Sequence, residues 1–349
     1  MNYRMVAATE QDGAEMLDII ETLPSKGLFE LLYTRRPNPF LSHMAEFKDT
    51  DVYVIKDKND KIILQVACSP HSLYINGHPA KLGYINGVKK RVDFNEKINW
   101  LEMICNTKTK VEYDYHYCSI LQANKHAQQV FEKKRTYMTD MHYICNYTTF
   151  IVKPKKRKIM DNSYIFRRAN KSDESAIIDF LSREGQGYDL FPYFDSISDF
   201  HGLYIEDFYL LEKEGVILCT CALWEQASYK QYIVKQYNSI LKLASKIPYL
   251  PKILGYISLP EPGKILRFPI LTLFMAKNDD EKYYKAMLSH IENVVYESYG
   301  MFLIGLTESS NKYQIFLKKK SLRFISRLYL FISENPPVFK KVHVECGML

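Results

Sequence analysis

No apolar run in this 349-residue chain approaches the 18 residues that a membrane-spanning helix requires, so no helical span and no membrane partner is expected. The opening MNYRMVAATEQDG carries no apolar signal core, and a cytoplasmic location follows as the expectation. Cysteines are few, odd in number and scattered: seven in all, with Cys219 and Cys221 the only close pair. Alternation through 216–223 puts both sulfurs on one strand face, and no second pair completes a zinc site. Buried thiols in a reducing compartment are expected, and no metal. The sequence also lacks a nucleotide P-loop, a dinucleotide-binding glycine signature, a Ser/His/Asp arrangement and paired metal ligands. The formal charge of +7 is modest and comes partly from two local runs, Lys153-Pro154-Lys155-Lys156-Arg157-Lys158 and Lys318-Lys319-Lys320. No base-stacking motif or DNA-reading helix accompanies them. They read as a solvated linker and a solvated face, with no nucleic-acid partner.

What the chain does have is a repeat. Ala8-Thr9-Glu10-Gln11-Asp12 leads into an apolar helical pattern through Met16, Ile19, Ile20 and Leu23. Ala169-Asn170-Lys171-Ser172-Asp173 leads into another through Ile177, Ile178 and Leu181. A strand-like run precedes each copy, and a similar order of elements follows it. A repeat of this length is a duplicated domain rather than a solenoid unit. At 47% hydrophobic residues, each half has enough apolar side chains to bury a core of its own. The basic, Pro-containing stretch 153–162 breaks the pattern, so the expected domains are 1–152 and 163–349, joined by that linker.

In the first half the pattern predicts strand 2–8, helix 11–24, a helix near 27–35, strands 51–56, 62–74 and 80–90, helix 96–106, strand 115–121, helix 124–134 and strand 137–152. Asn76-Gly77 between two alternating runs predicts a two-residue hairpin. In the second half it predicts strand 163–168, helix 172–183, strands 207–213, 215–224 and 266–275, helix 279–299, strand 301–307, helix 310–319 and strand 322–332. Residues 226–264 read as an insertion, helical at first. The alternating tail Lys341–Cys346 suggests a closing strand. The fold class is therefore α+β: two domains, each with a mixed, mostly antiparallel sheet flanked by helices.

Particular residues give this order a family resemblance. Tyr117-Cys118-Ser119-Ile120-Leu121, then Asn124, Ala127, Val130, Phe131, Glu132 and Lys133, resembles the fifth strand and following helix of the GCN5-related N-acetyltransferase (GNAT) fold. Leu82–Val88 resembles its fourth strand. Phe268–Met275, Phe302–Thr307 and Asn311 hold the same places in the second half. The whole layout, with Pro260-x-Pro262-Gly263 and Arg327-Leu328-Tyr329, is similar to bacterial tandem-GNAT proteins. The resemblance implies acetyl-CoA or another acyl-CoA as cofactor, with its pyrophosphate at the helix after strand four. It implies a pantetheine arm in the split between strands four and five, and a small-molecule or peptide amine as acceptor. On this chain the implied cofactor residues are Gly87, Val88, Lys89, Lys90, Arg91, Asn95, Lys97 and Asn124, with the backbone of Gly87–Val88 polarising the thioester carbonyl.

The sequence departs from the family where the chemistry sits. The family's Arg/Gln-x-x-Gly-x-Gly/Ala loop falls on Asn95-Glu96-Lys97-Ile98-Asn99-Trp100, so both small positions are large. Ile98 and Trp100 either fold into the core or plug the phosphate pocket. The second half offers Ala276-Lys277-Asn278-Asp279-Asp280-Glu281, whose acids suit a helix start and repel a diphosphate. The position of the family's proton-donating Tyr is Phe131 in the first half. His116, Glu308 and Tyr313 are the remaining candidates for proton transfer. Each also has an ordinary structural role open to it: a satisfied His in an aromatic strand, a solvated strand end, and a packing Tyr. Two functions stand side by side: acyl transfer from a CoA thioester to an amine, or a GNAT-fold binding or scaffolding protein whose cofactor sites have decayed.

Overall fold

A computed structural model describes residues 3–22, 29–159, 163–237, 261–332 and 336–349. The first half supplies β1 (Tyr3–Ala7), α1 (Gly13–Glu21), β2 (Phe29–Thr34), α2 (Pro39–Glu46), β3 (Asp51–Asp57), β4 (Ile62–Ile75), β5 (His78–Lys90), α3 (Trp100–Cys105), β6 (Tyr115–Leu121), α4 (Lys125–Glu132) and β7 (Asp140–Val152). The second half supplies β8 (Ile165–Arg168), α5 (Glu174–Gly185), β9 (Phe208–Lys213), β10 (Val216–Trp224), β11 (Gln231–Tyr237), β12 (Ile270–Ala276), α6 (Glu281–Ser298), β13 (Phe302–Thr307), α7 (Asn311–Leu317) and β14 (Ser321–Ile332). The repeat is physical at its starts. The Thr9 backbone N–H donates to Asp12 at 2.8 Å, and the Asn170 N–H donates to Asp173 at 2.8 Å, so one capping device opens both copies.

Twelve strands form one sheet in the order β1-β3-β4-β5-β6-β14-β7-β13-β12-β10-β9-β8. Two pairs are parallel. Leu82–Tyr84 of β5 runs beside Tyr115–Tyr117 of β6, and Ile270 of β12 faces Leu303 of β13. The other ladders in this sheet are antiparallel. Strands β7 and β14 cross between the halves: β14 lies beside β6, β7 lies beside β13, and they pair with each other from Ser321/Val152 to Ile332/Asp140. Each half thus lends its last strand to the other. The β4–β5 hairpin also reaches across. It turns at Asn76-Gly77, both at positive φ as such a turn requires, and Tyr74 exchanges backbone hydrogen bonds with Leu190 and Phe191.

Several expectations need correction. The segment near 27–35 is not a helix but strand β2, because β11 pairs with it from Thr34/Gln231 to Phe29/Tyr237. That partner lies in the expected insertion, which opens as a strand rather than a helix; its residues 238–260 lie outside the described residues. Tertiary pairing has overruled a local helical reading. The unforeseen helix α2 begins at Asn38, whose side chain accepts from the N–H groups of Phe40 and Leu41, with Pro39 at the first helical position. The tail from Lys341 makes one isolated bridge, Asp189 to Val342, and no strand. The two basic runs are not wholly solvated, since Arg157 and Lys319 both pair with the buried Glu292.

Helix α2 carries the main polar link between the halves. Arg35 donates to Glu46 at 2.6 Å, and Lys230, from the second half, pairs with the other Glu46 oxygen. Arg35 also donates to Ser42, whose hydroxyl donates to the Tyr229 carbonyl at 2.6 Å. All three charged side chains are buried. Burial alone would raise the Glu46 carboxyl, but Arg35 and Lys230 hold it at about 2. Removing one member leaves a buried charge without its partner. Glu46→Gln is therefore expected to cost roughly 3–5 kcal/mol in urea unfolding. The triple change Arg35→Met, Glu46→Leu, Lys230→Met should recover most of that loss; an unchanged midpoint for Glu46→Gln alone would contradict this account.

Candidate functional site

After three parallel pairs, β5 and β6 part, and β5 bends at the split. Ala67 of β4 faces Asn86 while Gln65 faces Lys89, so Gly87 and Val88 together oppose Val66. This is a β-bulge, which withdraws backbone groups from the ladder. Gly87 sits at φ +64°, the left-handed region that glycine enters without penalty. A Cβ there would also stand 3.4 Å from the His43 imidazole.

The second half repeats the device. Thr220 of β10 faces Met275 while Ala222 faces Thr272, so Leu273 and Phe274 oppose Cys221. Leu273 takes φ +49°, an uncommon conformation for a bulky residue. This second split is filled. Lys312 is fully buried and donates to the Phe274 carbonyl at 2.6 Å. The tail runs through the opening: Thr272 donates to Glu345 at 2.6 Å, His343 pairs with Glu345 at 2.8 Å, and Tyr147 donates to the Val344 carbonyl at 3.2 Å. Burial brings the Lys312 ammonium down to about 8, with Glu345 and Asp279 resisting.

The first split is open. On its α3/α4 side lies a cavity of about 280 Å³ with a mainly apolar lining that includes Val66, Ile85, Val88, Ile104 and Phe131. His116 also borders it, half-buried, and burial lowers its pKa. On the opposite side, at the seam between the halves, a second cavity of about 190 Å³ is lined by Ser119, Tyr147, Thr149, Ser326 and Lys230 among others.

Gly87 and Val88 therefore stand at the split. Lys89 is half-buried, and burial lowers its ammonium pKa. Lys90 lies 5.0 Å from the centre of the Phe94 ring. Arg91 is otherwise engaged. It bonds Glu15 at 2.7 Å, Asp18 at 2.9 Å and the Ile62 carbonyl at 2.8 Å, which ties β5 to α1 and leaves little for a phosphate. Asn95 and Lys97 are exposed on the stretch 91–99, and α3 starts at Trp100 rather than Glu96. Trp100 and Ile98 pack on the Ile55, Ile63, Leu64 and Val66 cluster, and Trp100 meets the edge of Phe131 at 6.0 Å. Neither borders the cavity, and both extend the core. Asn124 caps α4, accepting from the Ala127 N–H at 3.1 Å. Glu308 is exposed in the turn after β13 and borders neither cavity. Tyr313 is a packing residue, with its ring edge-on to Phe150 at 5.6 Å and its hydroxyl 3.5 Å from Thr148.

The sequence reading missed a polar group on the α2 side. His43, Gln65, Ser69, His71, Tyr84, Asn86 and Tyr117 gather there; His71 bonds the Tyr117 hydroxyl, and the Tyr84 hydroxyl lies 2.9 Å from that of Ser119. A signal existed in His43-x-x-Glu46, one turn apart behind the Asn38-Pro39 helix start. Reading 27–35 as helix hid it.

Burial pushes the His71 imidazole down to about 3, and His43 also lies well below its ordinary value. Both rings are neutral in the folded state, whereas an unfolded His takes a proton near 6.5. The unfolded chain then binds more protons below that pH, so this stability is complete above about 6.5 and falls as pH drops toward 3. The Glu46 contribution is lost in the same direction, from about 4.5 to about 2. The melting temperature is expected to fall steadily from pH 6.5 to 4, with a shallower fall in His71→Leu; a flat profile across that range would rule the account out.

No protein-family model and no curated protein matches the sequence. Solved structures do match in fold. An N-myristoyltransferase of Saccharomyces cerevisiae, with bound myristoyl-CoA and inhibitors, is 10% identical; the match covers 98% of this chain and 86% of that one, at a TM-score of 0.59. A GCN5-related N-acetyltransferase from Anabaena variabilis is 9% identical, covering 95% and 73% at 0.54. One from Kribbella flavida is 9% identical, covering 95% and 71% at 0.52. At such identity the likeness establishes the fold, an α+β arrangement shared with these proteins over nearly the whole chain.

Proposed function

We propose that this chain is an acyltransferase that carries an acyl group from a CoA thioester to an amine on a small molecule or peptide. The observation that carries this reading is the bulge at Gly87–Val88, set at an open split beside an apolar cavity, while its counterpart at Leu273–Phe274 is filled. The proteins of like fold support it, since their names record acyl transfer to nitrogen and the yeast protein holds myristoyl-CoA. We read 1–152 and 163–349 as two copies of one ancestral domain, with a single working cofactor site in the first. A cytoplasmic location fits the same reading.

The pantetheine arm would lie in the split with its thioester at the bulge. A free backbone N–H there would polarise the carbonyl and stabilise the oxyanion that forms on attack. Holding amine and thioester together supplies much of the remaining rate. Lys89 and Lys90, with Asn95, Lys97 and the Asn124 helix start nearby, would face the phosphates; Arg91 is spoken for by α1. The cavity gives more room than an acetyl methyl fills, so the acyl group extends to chains longer than acetyl.

The direct test is a thermal shift with CoA, acetyl-CoA, octanoyl-CoA and myristoyl-CoA. Binding at ten times Kd should stabilise the fold by about 1.4 kcal/mol, a shift of a few degrees. Ile104→Trp, which fills the cavity, should abolish the gain from the longer chains. The double change Lys89→Ala and Lys90→Ala should weaken every CoA species about tenfold with little loss of fold, as expected of charges that are not in buried pairs. Absence of any shift with all four ligands would defeat the proposal.

A further inference from the structure

Three buried side-chain atoms on the residues around the β5 bulge have no hydrogen-bond partner: His43 Nδ1, Gln65 Oε1 and Asn86 Oδ1. Orphans of this kind are rare in folded proteins, and three on neighbouring residues call for a common cause. Strand alternation puts Gln65, Ser69 and His71 of β4 on the face covered by α1 and α2. Asn86, directly opposite Ala67, shares that face. The Asn86 amide is oriented by its own bonds. Its NH₂ donates to the Ser69 hydroxyl at 3.1 Å and to the Tyr84 carbonyl at 3.2 Å, so the free atom is the carbonyl oxygen. Asn86 Oδ1 and Gln65 Oε1 can only accept, and a neutral imidazole offers one further acceptor. The two amide oxygens therefore call for a donor of more than one hydrogen, and His43 Nδ1 joins them in the tautomer that leaves it unprotonated. A primary amine is such a group.

His43 stands where an acceptor amine would have to pass. Its Cε1 and Nε2 would lie 3.4 Å from a Cβ on Gly87, at the bulge itself. Resting on the acyl-transfer reading above, we propose that the acceptor is a primary amine entering from the α2 side of the sheet, that Asn86 Oδ1 holds it, and that His43 takes its proton. The amine nitrogen attacks the thioester carbonyl carbon; a C–N bond forms and the C–S bond breaks. The proton leaving nitrogen goes to the His43 ring, which returns it to the departing CoA thiolate. The products are an amide and free CoA, with nothing oxidised or reduced.

The charges facing His43 set its protonation state. Burial, then Arg35 from the β2–α2 connection and Lys230 ahead of β11, disfavour the protonated ring, while Glu46 on α2 favours it. From β5 the ring meets the bulge backbone. The ring is thus unprotonated at neutral pH, and the carboxylate one turn along α2 offsets part of the charge when the proton arrives.

The test uses the full chain saturated with the acyl-CoA that gives the largest thermal shift, with n-butylamine as acceptor probe and released CoA thiol as readout. The wild type should release thiol in proportion to amine, with an acid limb that lies well below pH 6.5, where the His43 ring takes its proton. His43→Gln should keep the acyl-CoA thermal shift yet lose at least 100-fold in kcat, and the acid limb with it. Asn86→Leu should raise KM for the amine about tenfold and keep the pH profile. A His43→Gln enzyme with wild-type kcat and limb would overturn the assignment. Imidazole ¹⁵N and Asn side-chain amide spectra of the wild-type acyl-CoA complex provide a check that needs no variant to fold. If saturating n-butylamine moves neither the His43 nor the Asn86 signals, the orphan acceptors are served by water alone and the proposal falls. If the wild type shows no thermal shift with any acyl-CoA, the acyl-transfer reading fails first.

Discussion

The backbone ladder between β7 and β14 holds the molecule together. Each strand comes from one half and finishes the sheet of the other, so their pairing joins two split sheets into one continuous surface. Antiparallel pairing suits this seam because its hydrogen bonds run straight across, whereas the parallel contacts at β5/β6 and β12/β13 are short and give way to splits. Everything of chemical interest lies within reach of that seam. The open split, the seam cavity and the polar cluster under α2 are all placed by strands that the β7–β14 ladder fixes. The Arg35–Glu46–Lys230 triad adds a second, charged tie on one face. Its members come from both halves, so it works only when the halves have met.

The two splits put one device to different uses. Both halves carry a bulge on the first strand of a parallel pair. In the first, glycine occupies the left-handed position and the opening remains. In the second, leucine occupies it, and strain of that kind persists only where surrounding contacts over-determine the backbone. Those contacts are present: Lys312 on the bulge carbonyl, Glu345 on Thr272, and the tail threaded between β12 and β13. A buried ammonium and a buried carboxylate occupy that opening.

Much of this was readable from residue order, and the limits have physical reasons. The repeat was legible because its capping residues act locally: Thr9 with Asp12 and Asn170 with Asp173 need no distant partner. The strands flanking the first split were legible because alternation survives burial on one face. Gly87 stood out only through the family resemblance of Leu82–Val88; its backbone angle, which glycine takes without cost, is a fact of the structure. Strand β2 was not legible, since what makes it a strand is β11, nearly two hundred residues away. The same error concealed α2 and with it His43. The exchange of β7 and β14 left no local mark, because a strand's sequence records its faces and not its neighbours. Arg91 looked like a phosphate ligand on charge alone, and only the nearness of Glu15 and Asp18 reveals its employment elsewhere.

The exchange of final strands also dictates an order of assembly. Strand β6 cannot gain its neighbour until β14 has been made, so the first half waits with an open edge while most of the second is synthesised. Exposed edges of that sort invite pairing with other chains, and closing so distant a contact is slow. Neither half can be cut out and kept whole, because each would leave with the other's closing strand. The two halves are in this way indivisible: each closes the sheet of the other.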